Sequence, residues 1–143
     1  MKPKDVFLPN SQNRAANFSP GKQAVLIIDD DTAVREALSD ILSIFLEVII
    51  FTVGNGREGL QIYQEQRHQI TSIILDIEMP VNGLQTYEQL LQFIPQVNVI
   101  VSSSLSREEA TSRFGIGKLP VFLQKPYGLE ALLSALQPLL ETE

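Results

Sequence analysis

Apolar residues along this chain follow two alternating rhythms. Short continuous runs of Ile, Leu and Val are each followed by a stretch in which apolar positions recur every three or four residues. A short unbroken run suits a strand buried on both faces, and the wider spacing marks one face of a helix. The first run, Ala24-Val25-Leu26-Ile27-Ile28, ends in Asp29-Asp30-Asp31, and Val34, Leu38, Ile41, Leu42 and Phe45 then form a helical stripe. Asp31 or Thr32 suits the cap of that helix, because a side-chain oxygen there accepts from otherwise orphaned N–H groups. Val48-Ile49-Ile50-Phe51 predicts a second strand, Asn55-Gly56 a turn, and Leu60 with Tyr63 a short helix. The third strand is Ile73-Ile74-Leu75, ending on Asp76, and Asn82-Gly83 closes the loop after it. Leu84, Tyr87, Leu90, Leu91 and Ile94 make the next stripe, stopped by Pro95. Val97-Asn98-Val99-Ile100-Val101 is a fourth strand that runs into Ser102-Ser103-Ser104, followed by a polar helix over residues 106–114. Val121-Phe122-Leu123 is a fifth strand leading to Lys125-Pro126, and Leu129, Leu132, Leu133, Leu136 and Leu140 line the last helix.

Five repeats of strand then helix indicate an α/β domain, a parallel sheet with helices on both faces. Right-handed crossovers restrict how such a sheet can be wound. Residues 1–22 stand apart: they are rich in Asn, Ser, Pro, Gln and Lys, lack periodicity, and read as a flexible arm or linker. Phe7, Leu8 and Phe18 are the residues through which that arm could dock. Residues 23–143 read as one domain, within the size expected for a single core.

Composition removes several function classes. There is no cysteine, so disulfides and thiolate metal sites are excluded, and a single histidine, His68, cannot build a multi-histidine site. No apolar run approaches the roughly 18 residues of a membrane span. The first residues lack the apolar core of a secretory signal, which points to the cytoplasm. Charge is uneven: Lys2, Lys4, Arg14 and Lys22 against Asp5 leave the arm at +3, so the rest of a chain of net −6 carries −9. An acidic body argues against direct nucleic-acid binding, which needs a basic surface, and suits a cation or basic partners.

The chemistry collects at the carboxyl ends of the strands, the edge where open α/β sheets bind ligands. The first strand delivers Asp29 and Asp30, the third Asp76, the fourth Ser102-Ser103-Ser104 and the fifth Lys125. Carboxylates brought together repel and bind protons more tightly unless a cation sits among them. A hard divalent ion with oxygen ligands fits, Mg²⁺ best of all beside a phosphate. One carboxylate can then serve as a nucleophile and form an aspartyl-phosphate. Phosphoryl transfer needs mainly positioning and charge neutralisation, and metal, Lys125 and a serine hydroxyl each supply one contact.

Four segments carry a resemblance: Val25-Leu26-Ile27-Ile28-Asp29-Asp30-Asp31, Leu75-Asp76-Ile77-Glu78-Met79-Pro80, Ser102-Ser103, and Gln124-Lys125-Pro126-Tyr127. In this order, at strand ends, they make the chain resemble the receiver domain of response regulators in two-component signalling, over residues 24–140. The resemblance implies a flavodoxin-like doubly wound sheet of five parallel strands in the order 2-1-3-4-5 with five helices. It implies that Asp76 is the phosphoacceptor, charged by a histidine kinase or phosphotransferase. Asp30 would hold Mg²⁺ directly, Asp29 mainly through water, and Asp76 and the backbone carbonyl of Glu78 would complete the set. Lys125 would pair with the phosphoryl oxygens, and the Lys125-Pro126 bond would be cis. Ser103, which lies 22 residues before Lys125, would be the switch hydroxyl, with Ser102 the fallback, and Phe122 the switch aromatic. A downstream protein would read the face of helix four, strand five and helix five. The resemblance leaves a homodimer open, and leaves open whether this is a stand-alone regulator or the receiver of a hybrid histidine kinase.

Departures from the family pattern are local. The loop Val81-Asn82-Gly83 is one residue short, Ser103 stands where Thr is commoner, and Gly115-Ile116-Gly117-Lys118-Leu119-Pro120 is an unusual approach to strand five. Among the remaining charged residues, Asp31 reads as a helix cap, His68 as a solvated loop residue and Lys118 as a loop lysine or a second phosphate contact. The side chain of Glu78 reads equally as solvated or as tuning dephosphorylation. Two other functions stay in view: a phosphorylation-independent interaction module on the same fold, and a haloacid-dehalogenase-type phosphatase. The second requires Asp-x-Asp-x-Thr, whereas Asp29-Asp30-Asp31-Thr32 places Thr one residue early.

Overall fold

The computed structural model describes residues 23–79, 83–94, 96–115 and 121–140. The arm at 1–22, the shortened 80–82 loop, Pro95 and the 116–120 approach with Lys118 lie outside the described residues. Within them the chain alternates β1 (Ala24–Ile28), α1 (Thr32–Phe45), β2 (Ile49–Val53), α2 (Gly56–Gln66), β3 (Ile70–Asp76), α3 (Gly83–Leu90), β4 (Asn98–Ser103), α4 (Arg107–Phe114), β5 (Val121–Gln124) and α5 (Leu129–Leu140). All five strands are parallel, in the order β2-β1-β3-β4-β5. This is the doubly wound architecture expected from the resemblance.

Alternation of side chains along each strand divides the interior in two. Leu26, Ile28, Ile73, Leu75, Val99 and Val101 pack with Tyr63 of α2, Tyr87 and Leu90 of α3 and Ala110 of α4. Val25, Ile27, Ile74 and Ile100 pack on the opposite face with Leu38 and Leu42 of α1 and Leu132 and Leu136 of α5. The central parts of β1, β3 and β4 therefore read as unbroken apolar runs, because both faces are covered there.

Several boundaries differ from the sequence reading. β3 begins at Ile70, three residues before the apolar run, since Thr71 and Ser72 are also drawn into the sheet. Ser72 pairs with Asn98 of β4 and with Val25 of β1, so its backbone is satisfied by neighbours although its hydroxyl is not. β2 begins at Ile49 rather than Val48 and extends to Val53, and β4 begins at Asn98 and takes in Ser102 and Ser103. The helix after β3 ends at Leu90, and the end of its stripe runs through a 3-10 turn over Leu91–Phe93 to Ile94, which caps that turn. Ser106 stands outside α4 as its N-cap, and α2 is a full Gly56–Gln66 helix capped by Asn55.

Candidate functional site

The site is assembled by strand ends. β1 stops at Ile28, and the Asp29 N–H donates to the Val53 carbonyl of β2 at 3.2 Å, holding the residue against the sheet edge. Asp29 Oδ1 accepts from the Asp31 N–H at 2.9 Å, and Asp31 in turn accepts from Ala33 N–H at 2.9 Å and Val34 N–H at 3.4 Å. The helix-cap reading of Asp31 therefore holds, and the turn it closes places Asp30 on the exposed rim. Arg35, one helical turn on, donates to the Asp29 carbonyl at 2.7 Å and to Thr32 Oγ1 at 3.1 Å. No signal in the sequence singled Arg35 out as a clasp between β1 and α1.

Asp76 ends β3 in register with Ser102 of β4. The Ser102 carbonyl accepts from the Ile77 N–H at 3.1 Å and the Ser103 carbonyl from the Lys125 N–H at 2.7 Å. β4 thus holds residue 77 on one side and Lys125 on the other. Lys125 Nζ reaches Asp29 Oδ2 at 3.2 Å and Asp76 Oδ2 at 3.4 Å. The Lys125-Pro126 bond is cis. Carboxylate oxygens of Asp29, Asp30 and Asp76 all lie within 4.8 Å of one another.

Burial and charge set the protonation of this cluster. Burial pushes the Asp76 carboxyl up, and neighbouring Asp29 adds to that; the Glu78 N–H, which donates to Asp76 Oδ1 at 2.9 Å, and Lys125 oppose it without cancelling it. For Lys125 burial is the largest influence and acts downward, yet the charges of Asp76 and Asp29 outweigh it and raise the ammonium. The fully ionised quartet of Asp29, Asp30, Asp76 and Lys125 has a formal charge of −2. A small divalent cation with oxygen ligands matches both that charge and the donor set.

Glu78 departs from the solvated reading of its side chain. Its carboxylate accepts from the Ser103 hydroxyl and the Ser104 N–H through Oε2, and from the Ser104 hydroxyl at 2.8 Å to Oε1 and 2.9 Å to Oε2. Partial burial would raise this carboxyl, but the bonds from Ser103 and Ser104 outweigh it and hold it below its ordinary value. The sequence reading gave Ser104 no role of its own, yet its backbone and hydroxyl are both engaged here. Ser103 Oγ also accepts from the Leu105 N–H at 3.0 Å. Ser102, the fallback, is buried with its hydroxyl unpartnered. Phe122 stands apart from the acids, half-buried against the α2–α3–α4 side, with the Arg107 guanidinium 5.7 Å from its ring centre. His68 is exposed in the turn before β3.

Comparison with known proteins decides the family. The model of the response regulator receiver domain matches residues 25–137. This chain belongs to the response regulator receiver family. The receiver is 31% identical over 115 residues to the probable C4-dicarboxylate response regulator DctR of Bacillus subtilis, covering 79% of this chain and 50% of DctR. The chain therefore spans about half the length of that relative. With the chemotaxis protein CheY of Thermotoga maritima the receiver shares 27% identity over 113 residues, covering 78% of this chain and 92% of CheY. Among solved structures, CheY in the CheX–CheY–BeF3–Mg complex of Borrelia burgdorferi superposes with a TM-score of 0.68 at 25% identity, covering 81% of this chain and 87% of that one. No helix among the described residues is long and apolar enough to cross a membrane.

Proposed function

We propose that this receiver is a phosphoacceptor switch in a two-component phosphorelay, with Asp76 as the residue phosphorylated. The observation that carries the reading is the convergence of Asp29, Asp30 and Asp76 within 4.8 Å, with Lys125 bonded to two of them. A structural element evolved only for packing has no use for three acids and an ammonium at one sheet edge, where their mutual repulsion is unfavourable. Mg²⁺ is the proposed cofactor, held by Asp30, Asp29, Asp76 and the Glu78 carbonyl. When bound it would supply the positive charge that a phosphoryl group needs in order to approach these acids.

The phosphodonor is a phosphohistidine of a histidine kinase or phosphotransferase. Asp76 Oδ forms the new O–P bond as the P–N bond breaks, and the departing imidazole keeps the electron pair and takes up a proton. Lys125 stays protonated, as its neighbours favour, and turns its ammonium from Asp76 to the incoming phosphoryl oxygens. Ser103 is the hydroxyl drawn to the phosphoryl, and Phe122 follows it inward, remodelling the face of α4, β5 and α5 that a downstream protein reads. This is a shift between two conformations, driven by contacts that the phosphoryl makes in only one of them. Residues 23–143 would act as this unit in the cytoplasm, with 1–22 as an arm or a link to whatever precedes it. The receiver of a hybrid kinase and a stand-alone regulator both fit.

Incubation with acetyl phosphate and Mg²⁺ should add one phosphoryl group per chain, detected by intact-mass spectrometry. Omission of Mg²⁺ or the Asp76→Asn substitution should abolish it. Equal labelling of Asp76→Asn would overturn the assignment, and no labelling of the parent protein would favour the phosphorylation-independent interaction module.

A further inference from the structure

The carboxylate of Glu78 is bound to two consecutive serines, and the first of them is the proposed switch residue. One Oε2 receives the Ser103 hydroxyl and the Ser104 N–H, while the Ser104 hydroxyl bridges both oxygens. The main chain of the same residue donates to Asp76 Oδ1 at 2.9 Å. Glu78 therefore joins the proposed phosphoacceptor to the proposed switch hydroxyl, one through its backbone and the other through its side chain.

A serine hydroxyl has a single proton to donate. In this structure that proton goes to Glu78, and the oxygen already accepts from the Leu105 N–H at 3.0 Å. A phosphoryl group on Asp76 must take the proton away from Glu78. We propose that the Glu78 carboxylate is a latch: it competes with the phosphoryl for the Ser103 hydroxyl and, by holding Ser104 as well, keeps the start of the β4–α4 connection in its resting position. The inference rests on the phosphoacceptor reading of Asp76 and adds a specific restraint to it. Charge makes the competition sharper, because a bond to an ionised acceptor is stronger than one to a neutral oxygen.

The latch makes a prediction that repulsion between carboxylate and phosphoryl does not. Glu78→Gln keeps the backbone and an acceptor oxygen but removes the charge. Its effect should depend on whether Ser103 has a hydroxyl to release. Beryllofluoride, a stable phosphoryl mimic, can be titrated by ¹⁹F NMR in saturating Mg²⁺ into the parent, Glu78→Gln, Ser103→Ala and the double variant. Loss of a charge-assisted bond corresponds to binding about tenfold tighter for Glu78→Gln than for the parent. In the Ser103→Ala background the same substitution should gain at most about threefold, because the bond is already absent. Ser104→Ala, which removes only the Ser104 hydroxyl contacts and leaves the Ser103 hydroxyl and the Ser104 N–H on the carboxylate, should give an intermediate gain. Unchanged or weaker binding by Glu78→Gln would overturn the latch, as would a full tenfold gain that persists without the Ser103 hydroxyl. A parent protein that binds no beryllofluoride would instead remove the phosphoacceptor reading, and the latch with it.

Discussion

Asp76 and Glu78 lie two residues apart on one turn, yet their surroundings move their carboxyls in opposite directions. Asp76 is buried among other acids, so the folded state holds its proton above the ordinary carboxyl value of 3.8. Stability from this group is therefore present at low pH and lost as pH rises through its folded value, where the folded state must give up a proton it binds more tightly than the unfolded chain does. Glu78, bonded by Ser103 and Ser104, lies below its ordinary 4.5, and its contribution has the reverse sign. That contribution is present above 4.5 and lost as pH falls through the folded value. Thermal melts from pH 3 to 7, on the order of the carboxyl range, should separate the two without added Mg²⁺. Asp76→Asn should remove a loss of Tm on raising pH, and Glu78→Gln should remove a loss of Tm on lowering it. The same direction of change in both variants would contradict the assigned environments. Asp29 and Asp76 were legible in the sequence because each ends an apolar run on a charge, and Lys125 because it follows the fifth run with one residue between and precedes Pro126. The serine clamp on Glu78 was not, since it depends on the β3 and β4 ends lying side by side, which no local pattern reports.

Among the described α-helices, α4 borders the proposed output face and buries the fewest residues. Only Ala110 is buried, and Arg107, Glu108 and Glu109 are exposed. Its ends supply what its face does not. Ser106 Oγ accepts from the Glu109 N–H at 3.1 Å and the Glu109 carboxylate accepts from the Ser106 N–H at 3.1 Å, a reciprocal capping box. Gly115 closes the helix in the left-handed region at φ 64°, with its N–H donating to the Thr111 carbonyl at 2.8 Å. Ser106→Ala should therefore cost about 1 kcal/mol, concentrated as faster hydrogen exchange in α4 while the β1 and β3 amides keep their relative protection. Uniform acceleration throughout the protein would show that α4 is not separately poised. α3 is anchored differently: a Cβ at Gly83 would meet the Ile77 carbonyl oxygen at 2.4 Å, directly behind the Asp76 turn. A polar helix over 106–114 was legible in the sequence, but its start fell one residue early, on the cap itself, and the Ser106–Glu109 capping box was not read there. The true length of β3 was hidden, because Thr71 and Ser72 interrupt the apolar run, although Ser72 pairs with both neighbouring strands and Thr71 sits at the register shift against β1.

Across the whole molecule, two apolar layers fix a sheet whose carboxyl edge gathers like charges. The layers carry the stability, and the repulsion among the acids at the edge works against it. A ligand that binds only the folded state stabilises it by mass action, by about 2.7 kcal/mol at a hundredfold excess over Kd. Mg²⁺ should accordingly raise Tm in a concentration-dependent manner, and Asp30→Asn should abolish most of that rise. An equal Mg²⁺ response in Asp30→Asn would place the ion elsewhere. The fold was legible because apolar strand runs alternate with helical segments, most of them striped, so that both faces of the central strands are covered. Strand order itself came through the family resemblance, since periodicity alone does not state which strands are neighbours.

The most direct measurement is chemical identification of the phosphorylated residue. Protein treated with acetyl phosphate and Mg²⁺ is reduced with borohydride, which converts an aspartyl-phosphate to homoserine, and the product is mapped by tandem mass spectrometry. Homoserine should appear at position 76, only when Mg²⁺ is present, with Asp29 and Asp30 intact. Homoserine at 29 or 30, or phosphorylation that leaves Asp76 unmodified, would contradict the assignment of Asp76 as the nucleophile.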